Sequence, residues 1–146
     1  MTTNQANIDS LSRVLGRTFG LYVQTHGYHW NVEGPAFQQL HAKFEDHYND
    51  LWAALDEIAE RIRSLGAYAP GTLAELTALA GDPPAPVQSA DAMVEALISG
   101  HEALAEELRE AIAIAQEAGD EPSAGLLTDR LAWHEKELWM MKASRA

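Results

Sequence analysis

The chain has 146 residues, with 22 acidic and 10 basic side chains, a formal net charge of −12 and no cysteine. Without cysteine it forms neither disulfides nor thiolate metal sites, so any bound metal must be held by oxygen and imidazole ligands. The negative charge opposes binding to a phosphate backbone and attracts cations, although the same charge can serve solubility alone.

The length is typical of one domain with a full hydrophobic core, and we expect a single domain over residues 1–146. The prolines of residues 83–86 break the middle of the chain, but neither half would be self-sufficient, so this stretch is interpreted as a connection between helices. Residues 1–10 have neither a basic n-region nor an apolar run, and no stretch of about 18 apolar residues follows. We therefore expect a cytoplasmic protein.

Apolar residues recur at helical spacing almost throughout, which predicts an all-α fold. The first helix is expected over residues 8–32, before the turn residues Gly34 and Pro35. Its predicted inner face consists of Leu11, Leu15, Phe19, Tyr22 and Val23.

A second helix is predicted over residues 36–65. Its apolar residues form a seam with steps of three and four, namely Phe37, Leu40, Phe44, Tyr48, Leu51, Leu55, Ile58, Ile62 and Leu65. Gly66 is a suitable C-cap, and a short helix is expected over residues 72–80.

A third helix is predicted to begin after Ser89 or Asp91 as N-cap and to end at Gly119. Its inward residues are Val94, Leu97, Ile98, Leu104, Leu108 and Ile112. A fourth helix is predicted over residues 122–142, with Leu126, Leu127, Leu131, Leu138 and Met141 facing inward. Four long helices with a long second connection, which contains the short helix, are typical of a four-helix bundle.

Five potential metal ligands lie on the first two helices. They are His29, His41, Glu45, Asp56 and Glu60. His41 and Glu45 are four residues apart, as are Asp56 and Glu60, so each pair projects from one helix face and could hold one side of a metal ion.

The two pairs cannot meet within one chain. Glu45 and Asp56 lie eleven residues apart, or roughly 16 Å along the helix axis, whereas metal–ligand bonds are about 2.0 to 2.6 Å long. The midpoints of Glu45 with Asp56 and of His41 with Glu60 nevertheless coincide, between residues 50 and 51. Two antiparallel copies of this helix related by a two-fold axis would therefore form two equivalent sites, each shared between chains.

The ligands follow the apolar seam by one position, so they lie about 100° round from it, where a neighbouring subunit would dock. Trp52 lies on the same stripe, close to the predicted two-fold axis. It is either an interface anchor, the reading we favour, or an outlying part of the bundle core.

The metal interpretation has an ordinary alternative, since a helical histidine is usually a surface or satisfied core residue and acidic pairs often serve solvated ion pairs. The remaining four histidines lack a comparable spacing pattern and are interpreted in that ordinary way; they are His26, His47, His101 and His134. His26 lies one turn before His29, so its alternative role is to support that ligand.

Carboxylates with imidazoles suit iron, manganese or zinc. The Glu-x-x-His motif of single-chain di-iron bundles is absent from this sequence, which argues against a di-iron centre inside one bundle and strengthens the shared-site hypothesis.

The stretch THGYHWNVEGP at residues 25–35, followed by Leu40-His41, Phe44-Glu45 and DEIAER at residues 56–61, closely resembles the Dps family of mini-ferritins, the DNA-binding proteins from starved cells. Residues 126–129, 134–136 and 139–140 are also similar to the last helix of that family. The resemblance covers nearly the whole chain.

This resemblance implies a ferritin-like four-helix bundle assembled as a hollow dodecamer. It also implies a ferroxidase centre at the dimer interface, in which His29, His41 and Glu45 of one chain and Asp56 and Glu60 of the other hold two irons. The expected activity is oxidation of Fe(II), with hydrogen peroxide in preference to dioxygen, and storage of Fe(III) mineral, which protects against oxidative stress. Trp30 is then expected to help quench oxidising radicals.

Two features depart from the family pattern. Residues 1–12 contain no basic side chain and the C-terminus offers only Lys142 and Arg145, so we expect negligible DNA binding. Acidic pores admit iron in the family; Asp120 and Asp129 fit such positions, whereas Gly125 stands where many relatives have Asp. The rival functions are a DNA-compacting stress protein with little iron chemistry and a structural bundle without metal chemistry.

Overall fold

The computed structural model describes residues 3–145 and, within that range, contains five α-helices and no strand. The helices are α1 (Thr3–Asn31), α2 (Phe37–Ser64), α3 (Leu73–Leu79), α4 (Ala90–Glu117) and α5 (Glu121–Ser144). The four long helices form a bundle in which α1 packs on α2 and α4, and α5 packs on α4 and more lightly on α2. The predicted all-α, four-helix architecture is confirmed.

The predicted helix ends agree closely with the structure except at the beginning of α1, which starts five residues earlier than expected. The buried Asn7 side chain donates a hydrogen bond to Asp120 at 2.8 Å, which ties the first turns of α1 to the beginning of α5. Ser89 caps α4 and Thr72 caps α3, each by accepting a backbone N–H.

The predicted core residues are buried or half-buried in the structure, apart from two that are exposed. Val23 is 51% exposed, because it follows Tyr22 by one position and faces an open groove beside the connection of residues 81–87. Phe37 is 39% exposed at the first turn of α2, where its ring stacks on His41 instead of entering the core.

The centre of the bundle contains a polar cluster that sequence spacing did not predict. Three of the histidines without a spacing pattern come together from α2, α4 and α5. They are fully buried around Trp133, and they are His47, His101 and His134. The Nδ1 atoms of His101 and His134 are 2.9 Å apart, so one ring donates to the other.

Charged neighbours complete this cluster. His47 hydrogen-bonds Glu137 at 2.8 Å, and Lys43 pairs with the same carboxylate at 2.9 Å. Arg130 stacks over Trp133 and donates to Asp50. Although burial alone would raise the pKa of Glu137, its bonds with Lys43 and His47 lower it, so the carboxylate stays ionised.

Burial lowers the pKa of all three core imidazoles, that of His101 to about 3, and the nearby Arg130 acts in the same direction on His101 and His134. These rings are therefore neutral in the folded protein at pH 7. Among the helices of the described region, none is long and apolar enough to cross a membrane.

A close approach between α1 and α3 gives a test of the packing. A Cβ added at Gly16 would clash with the Cβ and backbone of Leu79, whereas one added at Gly27 would meet nothing within 4 Å. Gly16→Ala should destabilise the protein by about 1 to 3 kcal/mol through overpacking. The matched change Gly27→Ala should stabilise it by about 0.5 to 1 kcal/mol, because alanine favours a helix. Urea unfolding followed by circular dichroism measures both, and equal effects would contradict the packing.

The neutral core imidazoles predict acid sensitivity. Below pH 6.5 the unfolded chain binds protons that the folded chain, with the His101 pKa near 3, does not bind. The stabilising contribution of His101 should thus be complete above pH 6.5 and should fall as the pH drops towards 3, by up to about 1.4 kcal/mol per pH unit. His101→Gln, which cannot titrate, should flatten this dependence in urea unfolding at fixed protein concentration. If the free energy of unfolding has the same pH dependence in the wild type and in His101→Gln, the predicted role of His101 is refuted.

Candidate metal centre

Two histidines from neighbouring helices meet where the chain reverses. His29 lies in the last turn of α1 and His41 lies early in α2. The reversal is tight because Gly34, at φ 109°, adopts the left-handed conformation that glycine tolerates best, and its carbonyl accepts the N–H of Phe37. The imidazole rings of His29 and His41 stack at 3.8 Å with an angle of 15° between their planes.

Reciprocal hydrogen bonds fix the orientation of these two rings. His29 Nδ1 donates to the carbonyl oxygen of His41 at 2.7 Å, and His41 Nδ1 donates to the carbonyl oxygen of His29 at 2.7 Å. A carbonyl oxygen can only accept, so each Nδ1 carries the proton and each Nε2 keeps a lone pair. This is the tautomer that binds metal through Nε2, and the backbone carbonyls hold the rings in place as metal-site partners usually do.

Glu45 extends this group by one turn of α2. Its carboxylate is exposed and lies 3.9 Å from His29 Nε2, which is too far for a hydrogen bond but close enough for both atoms to face one cation. Burial together with Glu45 raises the pKa of Tyr48, which keeps the phenol protonated. His29, His41 and Glu45 form the first of two ligand groups on α1 and α2, hereafter the imidazole half-site.

Asp56 and Glu60 form the second group, hereafter the carboxylate half-site. Both side chains are exposed on α2, and their carboxyl groups interact directly. The hydrogen bond and the negative charge of Asp56 raise the pKa of Glu60. A cation placed between the two carboxyl groups would relieve this repulsion, which is the electrostatic condition for a metal ligand pair.

The structure brings together the members of each half-site but not the two half-sites. In the described part of the chain, no group of three or more His, Asp or Glu side chains is arranged to hold a metal ion by itself. On α2, Glu45 of the imidazole half-site and Asp56 of the carboxylate half-site are separated by roughly three helical turns. The assignment of all five residues to one shared centre stays a prediction.

The surface between the half-sites is open and partly apolar. Trp52 is 63% exposed in the middle of α2, which argues against its being an outlying part of the core. A shallow depression beside it lies between α1, α2 and α3 and is lined by Leu15, Phe19, Trp52, Leu55, Asp56, Pro70 and Leu76. Trp30, beside the imidazole half-site, is 68% exposed.

Aromatic side chains surround the imidazole half-site. Trp30 was expected beside His29 and His26 was considered as a supporting residue, whereas Tyr22 and Tyr48 were expected only in the core. His26 stacks on Tyr48 at 3.8 Å and contacts His29 at 6.0 Å, and Tyr22 hydrogen-bonds His26. The available signal was the spacing of Tyr22, His26 and Trp30, which lie four residues apart and therefore share one face of α1.

The two acidic residues predicted to line a pore have different surroundings. Asp120 caps α5, accepts hydrogen bonds from Ser123 and Asn7, and pairs with Arg61 at 2.9 Å. Burial would raise the pKa of Asp120, but these partners lower it, so its charge is already neutralised locally. Asp129 is exposed on α5 and remains the better candidate for a pore.

Comparison with known proteins assigns the chain to a family. A family model described as a ferritin-like domain matches residues 8–145. The chain belongs to the ferritin-like family. DNA protection during starvation protein 2 of Bacillus anthracis is 34% identical over 96% of this chain and 97% of its own length. The Brevibacillus brevis DNA protection during starvation protein is 38% identical over 91% of this chain and 90% of its own.

Solved structures agree with this assignment. A Dps protein from Bacillus brevis matches with a TM-score of 0.94 and 35% identity, covering 98% of this chain and 97% of its own. The DPS protein from Vibrio cholerae O1 matches with a TM-score of 0.92 and 33% identity, over 97% of this chain and 90% of its own. That protein is described as a member of a broad superfamily of ferritin-like diiron-carboxylate proteins. Within the ferritin-like family, this chain is a Dps mini-ferritin, as the sequence resemblance predicted.

Asp120 is held by several partners whereas Asp129 is exposed, and this difference can be tested by measuring the free energy of unfolding of variants at each position. Asp120→Ala should lower the free energy of unfolding by about 1 to 3 kcal/mol, because it removes the cap of α5 and leaves Arg61 without its carboxylate. Asp129→Ala, the control on the same helix, should change it by no more than about 0.5 kcal/mol. Urea unfolding at pH 7 measures both. A stable Asp120→Ala protein would show that this carboxylate is free for another role.

Proposed function

We propose that this protein is a ferroxidase that oxidises Fe(II) at sites shared between two subunits and stores the product as Fe(III) mineral. The imidazole half-site of one subunit and the carboxylate half-site of its two-fold partner would together hold the iron. We also propose that the dimers assemble into a hollow dodecamer that encloses the mineral and that removal of Fe(II) and peroxide protects the cell against oxidative stress.

One observation carries this proposal, the orientation of the two ligand histidines. Both Nε2 lone pairs are directed by backbone hydrogen bonds. The carboxylates needed to complete a metal site lie further along the face of α2 that carries His41 and Glu45. Antiparallel packing about the point between residues 50 and 51 would bring Glu45 opposite Asp56 and His41 opposite Glu60. The exposed Trp52 and the apolar depression beside it would then be covered by the partner.

The ligand set suits the proposed reaction. Carboxylates stabilise Fe(III) more than Fe(II) because the product carries the larger charge, so binding favours oxidation. Two irons at one site supply two electrons together: 2 Fe²⁺ + H₂O₂ + 2 H⁺ gives 2 Fe³⁺ + 2 H₂O, and no hydroxyl radical need be released. Hydrogen peroxide is therefore our proposed oxidant.

Co-assembly of two inactive variants tests both the site and its sharing. His41→Ala damages the imidazole half-site and Asp56→Ala damages the carboxylate half-site, so each variant alone should lose most Fe(II) oxidation. In a dimer that combines one chain of each kind, one of the two sites contains both intact halves. Random co-expression should therefore restore about a quarter of the wild-type rate. Anaerobic Fe(II) loading followed by stoichiometric peroxide, monitored by ultraviolet absorbance, gives the rate.

The matched control combines two variants of the same half-site. Chains carrying His41→Ala and Glu45→Gln should not restore activity when co-expressed, because every shared site then has a damaged imidazole half. Recovery in this control, or no recovery with the first pair, would refute the shared site. Wild-type oxidation rates in both single variants would refute the ligand assignment.

A further inference from the structure

A groove lies on the surface of the bundle between α1, α4 and the proline-rich connection of residues 81–87, hereafter the α1–α4 groove. It follows α1 from Arg17 to Asn31, roughly 21 Å of helix axis, and has a volume of about 730 Å³. Small-molecule sites in proteins have volumes of this order. The lining includes residues of the hydrophobic core, so a bound molecule would contact the core directly; these residues are Leu21, Met93 and Leu104.

Glycines help to keep the α1–α4 groove open. Gly20 and Gly27 of α1 and Gly100 of α4 all belong to the lining. A Cβ added at Gly20 or Gly100 would approach Ala80 or Leu21 to about 3 Å, whereas one added at Gly27 would meet nothing within 4 Å. The free space therefore lies beside Gly27, and a larger side chain at that position would fill it.

The proline-rich connection forms an apolar wall of the groove. Three prolines line it and offer no N–H group to a bound molecule; they are Pro83, Pro84 and Pro86. Val87 packs on the core and anchors the end of this wall. In the described part of the chain, no backbone hydrogen bond joins residues 81–88 to α1 or α4, so the wall can move outward without losing any.

Two polar side chains of α1 that line the groove are already occupied within the helix. Gln24 donates a hydrogen bond to Tyr28 Oη at 3.1 Å, and Asn31 donates one to the carbonyl oxygen of Gly27 at 3.0 Å. A molecule that lies along this part of α1 need not supply partners for them. This stretch of the groove therefore suits an alkyl chain.

Arg17 gives the groove a positively charged end. Its Nε donates to Glu107 at 3.2 Å, and Arg13 lies 3.9 Å from the other oxygen of that carboxylate, so two guanidinium groups share one negative charge. Nη1 and Nη2 of Arg17 lie beside Gly81 and have no hydrogen-bond acceptor among the described residues. Guanidinium N–H groups arranged in this way bind a carboxylate through both of its oxygens. Asp82, exposed at the same end, opposes an anion.

We propose that the α1–α4 groove binds a fatty acid, with the carboxylate at Arg17 and the alkyl chain along α1 towards Asn31. The apolar lining favours the chain, and the free guanidinium nitrogens favour the carboxylate. The formal net charge of −12 would by itself attract a cationic amphiphile instead. A preference for the anionic head group is therefore a property of this groove and not of the surface as a whole. Binding does not require iron at either half-site.

Isothermal titration calorimetry of the intact protein tests the ligand class, with octanoate, decanoate and dodecanoate below their micelle concentrations. Each added methylene should lower the Kd about fourfold while the groove can bury it. Dodecyltrimethylammonium, which has the same chain length and a cationic head, should bind more weakly than dodecanoate. Equal or tighter binding of the cation, or no saturable binding of dodecanoate, would overturn the proposal.

Two arginine variants test the carboxylate end. Arg17→Gln should raise the Kd of dodecanoate about fivefold, because it removes a partly exposed ionic partner. Arg13→Gln is the matched control, since it removes the same charge beside the same Glu107 but lies outside the groove lining. It should change the Kd less than about twofold. Equal effects of the two variants would show that dodecanoate is not bound at Arg17.

A filled groove tests the position of the chain. Gly27→Leu should abolish dodecanoate binding, whereas Gly125→Leu, at an equally open glycine of α5, should bind as the wild type does. Circular dichroism and size-exclusion chromatography check that each variant is folded. If Gly27→Leu does not fold, Val23→Trp fills the groove from an exposed lining position. Wild-type binding in a folded variant with a filled groove would overturn the site.

Discussion

The structure depends on α2, because one face of this helix packs in the bundle core while the adjacent stripe carries the proposed ligands. The buried face of α2 contributes Phe44, Leu51, Ile58 and Ile62 to the bundle core. The stripe one residue further along carries the proposed ligands of α2 and Trp52, and it faces outward. Because successive residues turn by about 100°, the core register of α2 determines where every proposed ligand on that helix points. If α2 packed on the core one residue out of register, its carboxylates would be buried and its apolar seam would be exposed.

The ends of α2 are fixed by different means. At its beginning, the crossed hydrogen bonds between His29 and His41 join the side chain of each helix to the backbone of the other. At its end, Arg61, directly after Glu60, donates to Ser123 and Asp120 on α5. Each half-site is thus adjacent to a contact between helices, so the ligands are held by the tertiary structure and not by α2 alone.

The middle of the bundle is unusual in being polar. Three neutral imidazoles with an ionised Glu137 occupy space that apolar side chains could fill. Desolvation makes such groups costly unless they are paired, and the Lys43 and Arg130 contacts provide that pairing for the carboxylates. The direction of these shifts couples the fold to pH, because the unfolded chain gains protons that the core excludes.

The sequence predicted the helices well because apolar periodicity and cap residues act locally, as Ser89 and Gly119 illustrate. The ligand pairs on α2 were likewise visible from helical geometry. By contrast, the early beginning of α1 depends on Asn7 reaching Asp120, more than a hundred residues away. The core histidines come from three helices, so no spacing rule relates them. The three partners of the Asp120 carboxylate were not predicted either, because Asn7 and Arg61 are distant from it in the sequence.

The separation of the half-sites has a chemical consequence if iron is bound as proposed. A free subunit would offer iron either two imidazoles with one carboxylate or two carboxylates, but not the complete set. Weak binding at such incomplete sites would favour single irons, which produce a radical on meeting peroxide. Assembly would join the halves and allow two-electron chemistry.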